Sequence, residues 1–450
     1  MKEAPLFDIV ITNGMVLTMD GHGTQISNGA VAVFGSTIAF VGKSSDLPQK
    51  TAVQVIDAKG GIVMPGLVNT HTHLPMSIFR GLADDLPLDA WLNHYIFPAE
   101  KRHIRPETVR IGTLLSCCEM LLSGTTTCCD GYFYEDNVAG AMLETGLRGV
   151  LGQGVIDFPA PGIPDPRQHI PAAVAFIQKW INAYPTVTPS IFCHSPYTCS
   201  KKTLVRAKSA ARDHGVLFQI HAAEIKTEWE RINAIHQTTP IRYLDQLGLL
   251  DEQTLLVHAV WLDDEDITVI AERRATVSHN PESNMKLASG IAPIPRLLKA
   301  GATVGLGTDG CASNNNLDLF CEMDVAAKLH KVSALDSTLM DAETVVRMAT
   351  IDGARAIGLN KRIGSIEIGK DADLIVLNAR TPRLLPAYHP FSLIVYSALG
   401  PDVRHVIIDG KPVVRDGVLL TVDIEEIMDQ AASLGETIRK SLLSPQWQNK

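Results

Sequence analysis

The chain lacks an uninterrupted apolar run long enough to span a membrane, and its first residues, MKEAPLFD, have no basic stretch followed by a sustained apolar segment. Cysteine is scarce: 8 in 450 residues excludes a small disulfide-stapled scaffold. Cys117 and Cys118 fall in a helical pattern, and Cys128 and Cys129 close a candidate strand. Adjacent cysteines do not have the spacing of a structural zinc knot, so both pairs read as small buried hydrophobes. Cys199 and Cys311 lie near candidate catalytic loops, but no paired base marks either as a nucleophile. An excess of positive charge is also missing. The formal net charge is -9 with acidic and basic residues intermixed, which speaks against a nucleic-acid or anionic-membrane surface. Sustained heptads and low-complexity tracts are absent, and the 34 glycines and 25 prolines are spread through turns. The expectation is a soluble cytoplasmic chain, free or homo-oligomeric, that acts on a small molecule.

What is present is material for a large core. With 46% hydrophobic residues over 450 positions, one major domain with an accessory domain is expected. Short β-like runs at residues 7–12, 30–33, 38–41 and 53–56 are matched by others at 372–377, 403–408 and 411–414, and they predict one small β-sandwich assembled from both chain ends. Between them, eight apolar strand candidates alternate with helical patterns: 62–69, 125–130, 149–156, 190–194, 216–221, 254–258, 275–279 and 303–309. Helical patterns at 107–123, 202–214 and 342–356 carry enough apolar residues to cover the outside of a parallel barrel. The fold expected is α/β, a TIM (β/α)8 barrel at 63–365 with the sandwich split into 1–62 and 366–422. A C-terminal extension, 423–450, contains an amphipathic helix at 424–443 that should pack against the protein itself.

The densest chemistry lies in VMPGLVNTHTH, residues 63–73. Side chains on a strand alternate faces, so His71 and His73 point the same way and can share one metal ion. Other candidate strands end in His221-Ala222-Ala223-Glu224, in His258 and in Gly307-Thr308-Asp309-Gly310. In a parallel barrel those ends form the active-site mouth, so the scattered polar residues are expected to meet there. Residues 305–310 formally match GxGxxG, but they come late in the barrel without a dinucleotide-binding βαβ context. Their glycines are expected to give Asp309 room to turn into the mouth.

PGLVNTHTH, the HAAE strand end, the later isolated histidine and GTDG together resemble the amidohydrolase superfamily. LPLDAWLNHYIFPAE, HSPYTCS and SHNPESNMKLASG bring the chain closer to its TRZ/ATZ-like, 5'-methylthioadenosine/S-adenosylhomocysteine deaminase branch. The resemblance spans nearly the whole chain. It implies that His71, His73, His221 and Asp309 are the four protein ligands of one divalent metal ion, with Glu224 and His258 beside it in catalytic positions. Asp309 would also exchange protons with the nucleophile. Zn²⁺ suits this donor set best, and Fe²⁺ or Mn²⁺ are compatible with it. An open metal position activates water towards an electron-poor ring carbon, and Glu224 is suited to moving the protons.

For the substrate, a small purine nucleoside, the resemblance implies that Glu100 accepts hydrogen bonds from the ribose 2' and 3' hydroxyls. It also places His194 and Ser313 against the purine, with Trp91 as an apolar wall. His279 and Asn284 are expected to position loops at the mouth. Arg148 offers one cation for an amino-acid tail, whereas Gln153 stands where tail-accepting relatives can carry an arginine. That departure favours 5'-methylthioadenosine over S-adenosylhomocysteine, with adenosine and 5'-deoxyadenosine open. A triazine-ring aminohydrolase or chlorohydrolase, or another cyclic-amidine hydrolase, is the alternative.

Overall fold

The computed structural model describes residues 7–48 and 52–442. Five strands come first: β1 (Phe7–Leu17), β2 (Gln25–Phe34), β3 (Thr37–Lys43), β4 (Ala52–Asp57) and β5 (Ile62–Pro65). Eight parallel strands follow: β6 (Leu67–Thr72), β7 (Thr125–Tyr132), β8 (Arg148–Val155), β9 (Val187–Cys193), β10 (Phe218–Ala222), β11 (Thr254–His258), β12 (Thr276–His279) and β13 (Val304–Leu306). The last four are β14 (Leu374–Leu377), β15 (Val403–Ile408), β16 (Lys411–Arg415) and β17 (Val418–Leu419).

The two chain ends form one sheet, in the order β17-β16-β15-β14-β5-β1-β2-β3 with β4 on β1. Alternate residues of its strands, among them Ile9, Ile11, Val31, Val33, Leu374 and Val376, turn to one side and share a buried cluster with Val63 and Ile407. The period of two thus supplies the hydrophobic interior of the accessory domain. Strands β6 to β13 lie in sequential order, as in a (β/α)8 barrel. The last joins the first just beyond its end: the Asp309 N–H donates to the His71 carbonyl at 3.0 Å, and Asn69 Nδ2 donates to Thr308 Oγ1 at 2.7 Å.

Two readings of local structure change. The run 62–69 is not one strand: β5 belongs to the accessory sheet and β6 to the barrel, divided at Gly66. A Cβ there would come within 2.1 Å of the Thr126 side chain, so only glycine lets the chain pass from one sheet into the other. The helical pattern 342–356 is also broken, into Ala342–Met348 and Ile351–Ala356. The Ala349 carbonyl between them accepts the Val68 N–H at 2.8 Å, a bond from the barrel that competes with continuing the helix.

The helix Lys201–His214 starts on a Ser200 cap and ends at Gly215 with φ +65°, as its sequence signals require. The C-terminal helix Ile424–Leu442 packs on the helix Pro106–Leu122 and buries Ile427 and Ile438. Residue 443, where that helix was expected to end, lies outside the described residues. No helix among the described residues is long and apolar enough to cross a membrane.

Candidate active site

The strand ends β6, β10 and β13 converge. His71 Nε2 lies 3.2 Å from His221 Nε2, and His71 Nε2 and His73 Nε2 each lie 3.5 Å from Asp309 Oδ1. His73 Nδ1 donates to the Gly131 carbonyl at 2.6 Å, which turns its Nε2 lone pair towards the cluster. Burial favours the neutral form of two of the imidazoles: it takes His71 down to about 3 and His221 well below its usual range. Burial pushes the Asp309 carboxyl up, but the hydrogen bond from His71 and the nearby His73 outweigh it and hold the group well below the usual carboxylate range. Its orientation is fixed further by Ser283 Oγ and Ser313 Oγ, which donate to Oδ2 at 2.7 and 2.8 Å, and by the Gly310 N–H on Oδ1 at 2.8 Å.

Neutral imidazoles and one carboxylate are the protonation states that bind a metal ion. A tetrahedral ion with bonds of about 2.0–2.1 Å needs donors roughly 3.3 Å apart. His71 and His221 stand 3.2 Å apart and the donor atoms of His71, His73 and His221 all lie within 4.8 Å of one another, so the three imidazoles fit a divalent metal, with Asp309 Oδ1 3.5 Å from two of them.

Glu224 follows β10 and is buried beside this cluster. Burial, and then the Asp309 carboxylate, raise its pKa to about 8. His258, at the end of β11, has Nε2 3.9 Å from Glu224 Oε2, and its Nδ1 donates to Asn284 Oδ1 at 2.9 Å. Burial lowers the pKa of His258, against partial opposition from Asp309 and Asn284, which leaves a neutral ring with its Nε2 lone pair facing Glu224. Ala223, His258 and Asp309 adopt positive φ of 55°, 76° and 62°. Such strain in non-glycine residues gathers where side chains must be aimed at one point.

The cluster forms the floor of a cavity of about 1070 Å³, whose lining includes Trp91, Glu100, Tyr132, His194, Glu224, His258 and Ser313. Glu100 is buried on its wall, accepts a hydrogen bond from Tyr132 Oη at 2.5 Å, and is raised by burial to about 7. His194 Nδ1 pairs with Thr198 Oγ1 at 3.0 Å, and burial with the neighbouring His73 takes it down to about 4. Ser313 borders the cavity with its hydroxyl committed to Asp309. His279 stays outside the cluster, its Nε2 facing His330 Nε2 at 3.1 Å.

One expected contact is corrected. Arg148 begins β8, at the end of the barrel away from the mouth, and is fully buried. It forms a two-point pair with Asp373, at 2.7 and 3.0 Å, and reaches Asp371 at 3.1 Å. It ties the barrel to the accessory sheet and cannot touch a substrate. Gln153 is turned away too, its Oε1 accepting the Glu135 N–H at 3.4 Å. The cations that do line the cavity are Lys101, Arg105 and Arg231, so the neutral side chain at Gln153 does not deprive the pocket of positive charge for a carboxylate-tailed substrate.

Sequence reasoning missed Tyr132, which binds Glu100, and Glu228, which accepts the N–H groups of Ala223 and Glu224 at 2.9 and 2.8 Å. For Glu228 a faint signal existed: an acidic residue in the first turn of the helix that follows HAAE.

Comparison with known proteins identifies the family. The amidohydrolase family matches residues 62–413. A 5-methylthioadenosine/S-adenosylhomocysteine deaminase of Syntrophobacter fumaroxidans is 46% identical over 96% of this chain and 98% of its own. A 5'-deoxyadenosine deaminase of Methanothermobacter thermautotrophicus is 44% identical over 94% and 97%. Among solved structures, a zinc-bound adenosine deaminase from Xanthomonas campestris superposes with a TM-score of 0.94 at 36% identity, covering 97% of this chain and 99% of its own. Atrazine chlorohydrolase from Arthrobacter aurescens TC1, with a TM-score of 0.89 at 23% identity over 95% and 100%, shares the fold. Motif, barrel and strand-end cluster agree with the match over most of the chain, and the protein belongs to the amidohydrolase family.

Proposed function

We propose that this chain hydrolytically deaminates a 5'-substituted adenosine, converting 5'-methylthioadenosine and water into 5'-methylthioinosine and ammonia. S-adenosylhomocysteine, 5'-deoxyadenosine and adenosine are the companion substrates. The observation that carries the reading is a cavity with two buried carboxyls in different settings: Glu224 beside the ligand cluster, and Glu100 on the wall paired to Tyr132. One suits proton transfer at the ring, and the other suits a ribose diol. The names of relatives 44–46% identical to this chain support the same reaction.

His71, His73, His221 and Asp309 would hold the ion, for which Zn²⁺ is proposed and Fe²⁺ or Mn²⁺ are compatible. When bound, it supplies electrophilic activation of water at neutral pH. Glu224, whose carboxyl keeps its proton near neutrality, gives that proton to purine N1 as oxygen adds to C6. It then receives one proton from the attacking water and passes it to the departing amine, which leaves as ammonia, and the proton remaining on the C6 oxygen returns to Glu224 as the carbonyl forms. His258, held by Asn284, keeps its Nε2 towards Glu224 and the growing C6–O bond. Glu100 orients the ribose, Trp91 and His194 hold the base, and Ser313 acts on it only through Asp309.

Triazines belong in the assay as comparators, because likeness at 23% identity reaches the fold alone. Ammonia and the inosine-like product should both appear from the four adenosine compounds. Turnover of an aminotriazine or chlorotriazine with none of any nucleoside would displace the proposal.

A further inference from the structure

Glu228 is a buried carboxyl with no part in the reaction as described, yet both of its oxygens are engaged at the site. Oε1 accepts the Ala223 N–H at 2.9 Å and Oε2 accepts the Glu224 N–H at 2.8 Å. Two successive N–H groups converging on one anion form a backbone nest, a conformation that needs a left-handed residue. Ala223, with φ 55°, is that residue, although alanine is disfavoured there. The Ala223 carbonyl is gripped from the other side by the N–H groups of Val260 and Trp261, at 2.9 and 2.8 Å, just past His258. A single peptide therefore joins the turn bearing Glu224 to the turn bearing His258. Glu228 itself is 1% exposed and anchored in the helix Lys226–His236.

From this we infer that Glu228 is the positioning residue for Glu224: it holds the strained turn at Ala223 and so aims the Glu224 carboxyl at the reacting ring. The inference rests on the deaminase reading for its kinetic consequences and on geometry alone for the rest. Glu228→Gln keeps the size but can accept only one of the two N–H groups, because its NH₂ meets the other donor to donor. Glu228→Asp keeps a negative charge in the first helical turn but withdraws it from the nest. If Glu228 merely stabilised the helix end, the aspartate variant would behave as wild type.

Each variant is purified with bound zinc, its metal content is checked, and 5'-methylthioadenosine turnover is measured in wild-type and Glu224→Gln backgrounds. In the wild-type background both variants should lose about tenfold to hundredfold in kcat, the scale expected for misplacing a reacting group by about 1 Å. KM and metal content should stay close to wild type. In the Glu224→Gln background the same changes should alter the residual kcat by less than about threefold, since the group being aimed is already gone. Wild-type kcat in the glutamine variant, wild-type kcat in the aspartate variant, or equal losses in both backgrounds would each overturn the assignment. Hydrogen exchange over residues 221–226 of the zinc-loaded protein decides the matter without substrate: faster exchange in Glu228→Gln is expected, and unchanged protection overturns it. Should wild type release no ammonia from any adenosine compound, the functional reading fails and the exchange result still decides the role of Glu228.

Discussion

Replacing Arg148 by methionine separates a structural role from a substrate contact, because the two predict opposite effects. In the structure the guanidinium is fully buried and holds Asp373 through two bonds, Asp371 at 3.1 Å and the Pro185 carbonyl at 2.9 Å. Methionine fills much of the space but leaves the Asp373 carboxylate buried, with the Asp409 N–H as its remaining partner. Removing one member of a buried ion pair costs about 3–5 kcal/mol. The remaining hydrogen bond favours the lower part of that range. Changing Asp373 to leucine as well removes the stranded charge, so the double variant should recover roughly half of the loss or more. Strand β8 separates Arg148 from the mouth by about 20 Å at roughly 3.3 Å per residue, so kcat and KM of the folded enzyme should stay within about twofold of wild type. Urea denaturation of the zinc-loaded protein gives the stability term, and steady-state kinetics with 5'-methylthioadenosine and S-adenosylhomocysteine give the other. A cost below about 1 kcal/mol would refute the structural argument. So would a selective rise in KM for S-adenosylhomocysteine, which would restore a tail contact.

Alanine at His71 or His73 should reduce bound metal to a small fraction of one equivalent and abolish turnover, read by elemental analysis of dialysed protein; full retention of metal by either variant would disprove the ligand set. Glu224→Gln should leave KM nearly unchanged while kcat falls by about 10²–10⁴, and single-turnover kinetics that match wild type would remove its proton-transfer role. Glu100 has its pKa raised to about 7, and only its ionised form accepts two ribose hydroxyls. The kcat/KM for nucleosides should therefore fall by about tenfold per unit as pH drops below 7, through this group, and Glu100→Gln should be slower at pH 8 but lack that limb. A pH profile identical in the two proteins would exclude Glu100 from substrate binding.

Strand-end chemistry was legible because the period of two is a local property: His71 and His73 had to share a face, and barrel geometry had to carry His221, His258 and Asp309 to the same mouth. Arg148 was misplaced for the converse reason. A polar residue at the start of a barrel strand looks in sequence like one at its end, and its partners Asp371 and Asp373 lie just before β14 of the accessory sheet, far along the chain. Gly66 reads as an interruption only once Thr126 is seen packed against it. Tyr132 and Glu228 act through hydrogen bonds to groups on other turns, and no spacing rule encodes such bonds.

The accessory sheet has a bearing on how the protein is made. Strands β1 to β5 leave the ribosome before the barrel does, yet β5 must wait for β14, and Arg148 must wait for Asp373, until the whole barrel has been synthesised. A nascent chain stalled in the barrel therefore exposes an unpaired sheet edge and strands an arginine among apolar side chains, which are the features that recruit chaperones and proteases. Because β5 runs through Gly66 directly into the strand bearing His71, the entry to that strand lacks one of its sheet neighbours until β14 arrives, and truncated products should be unstable.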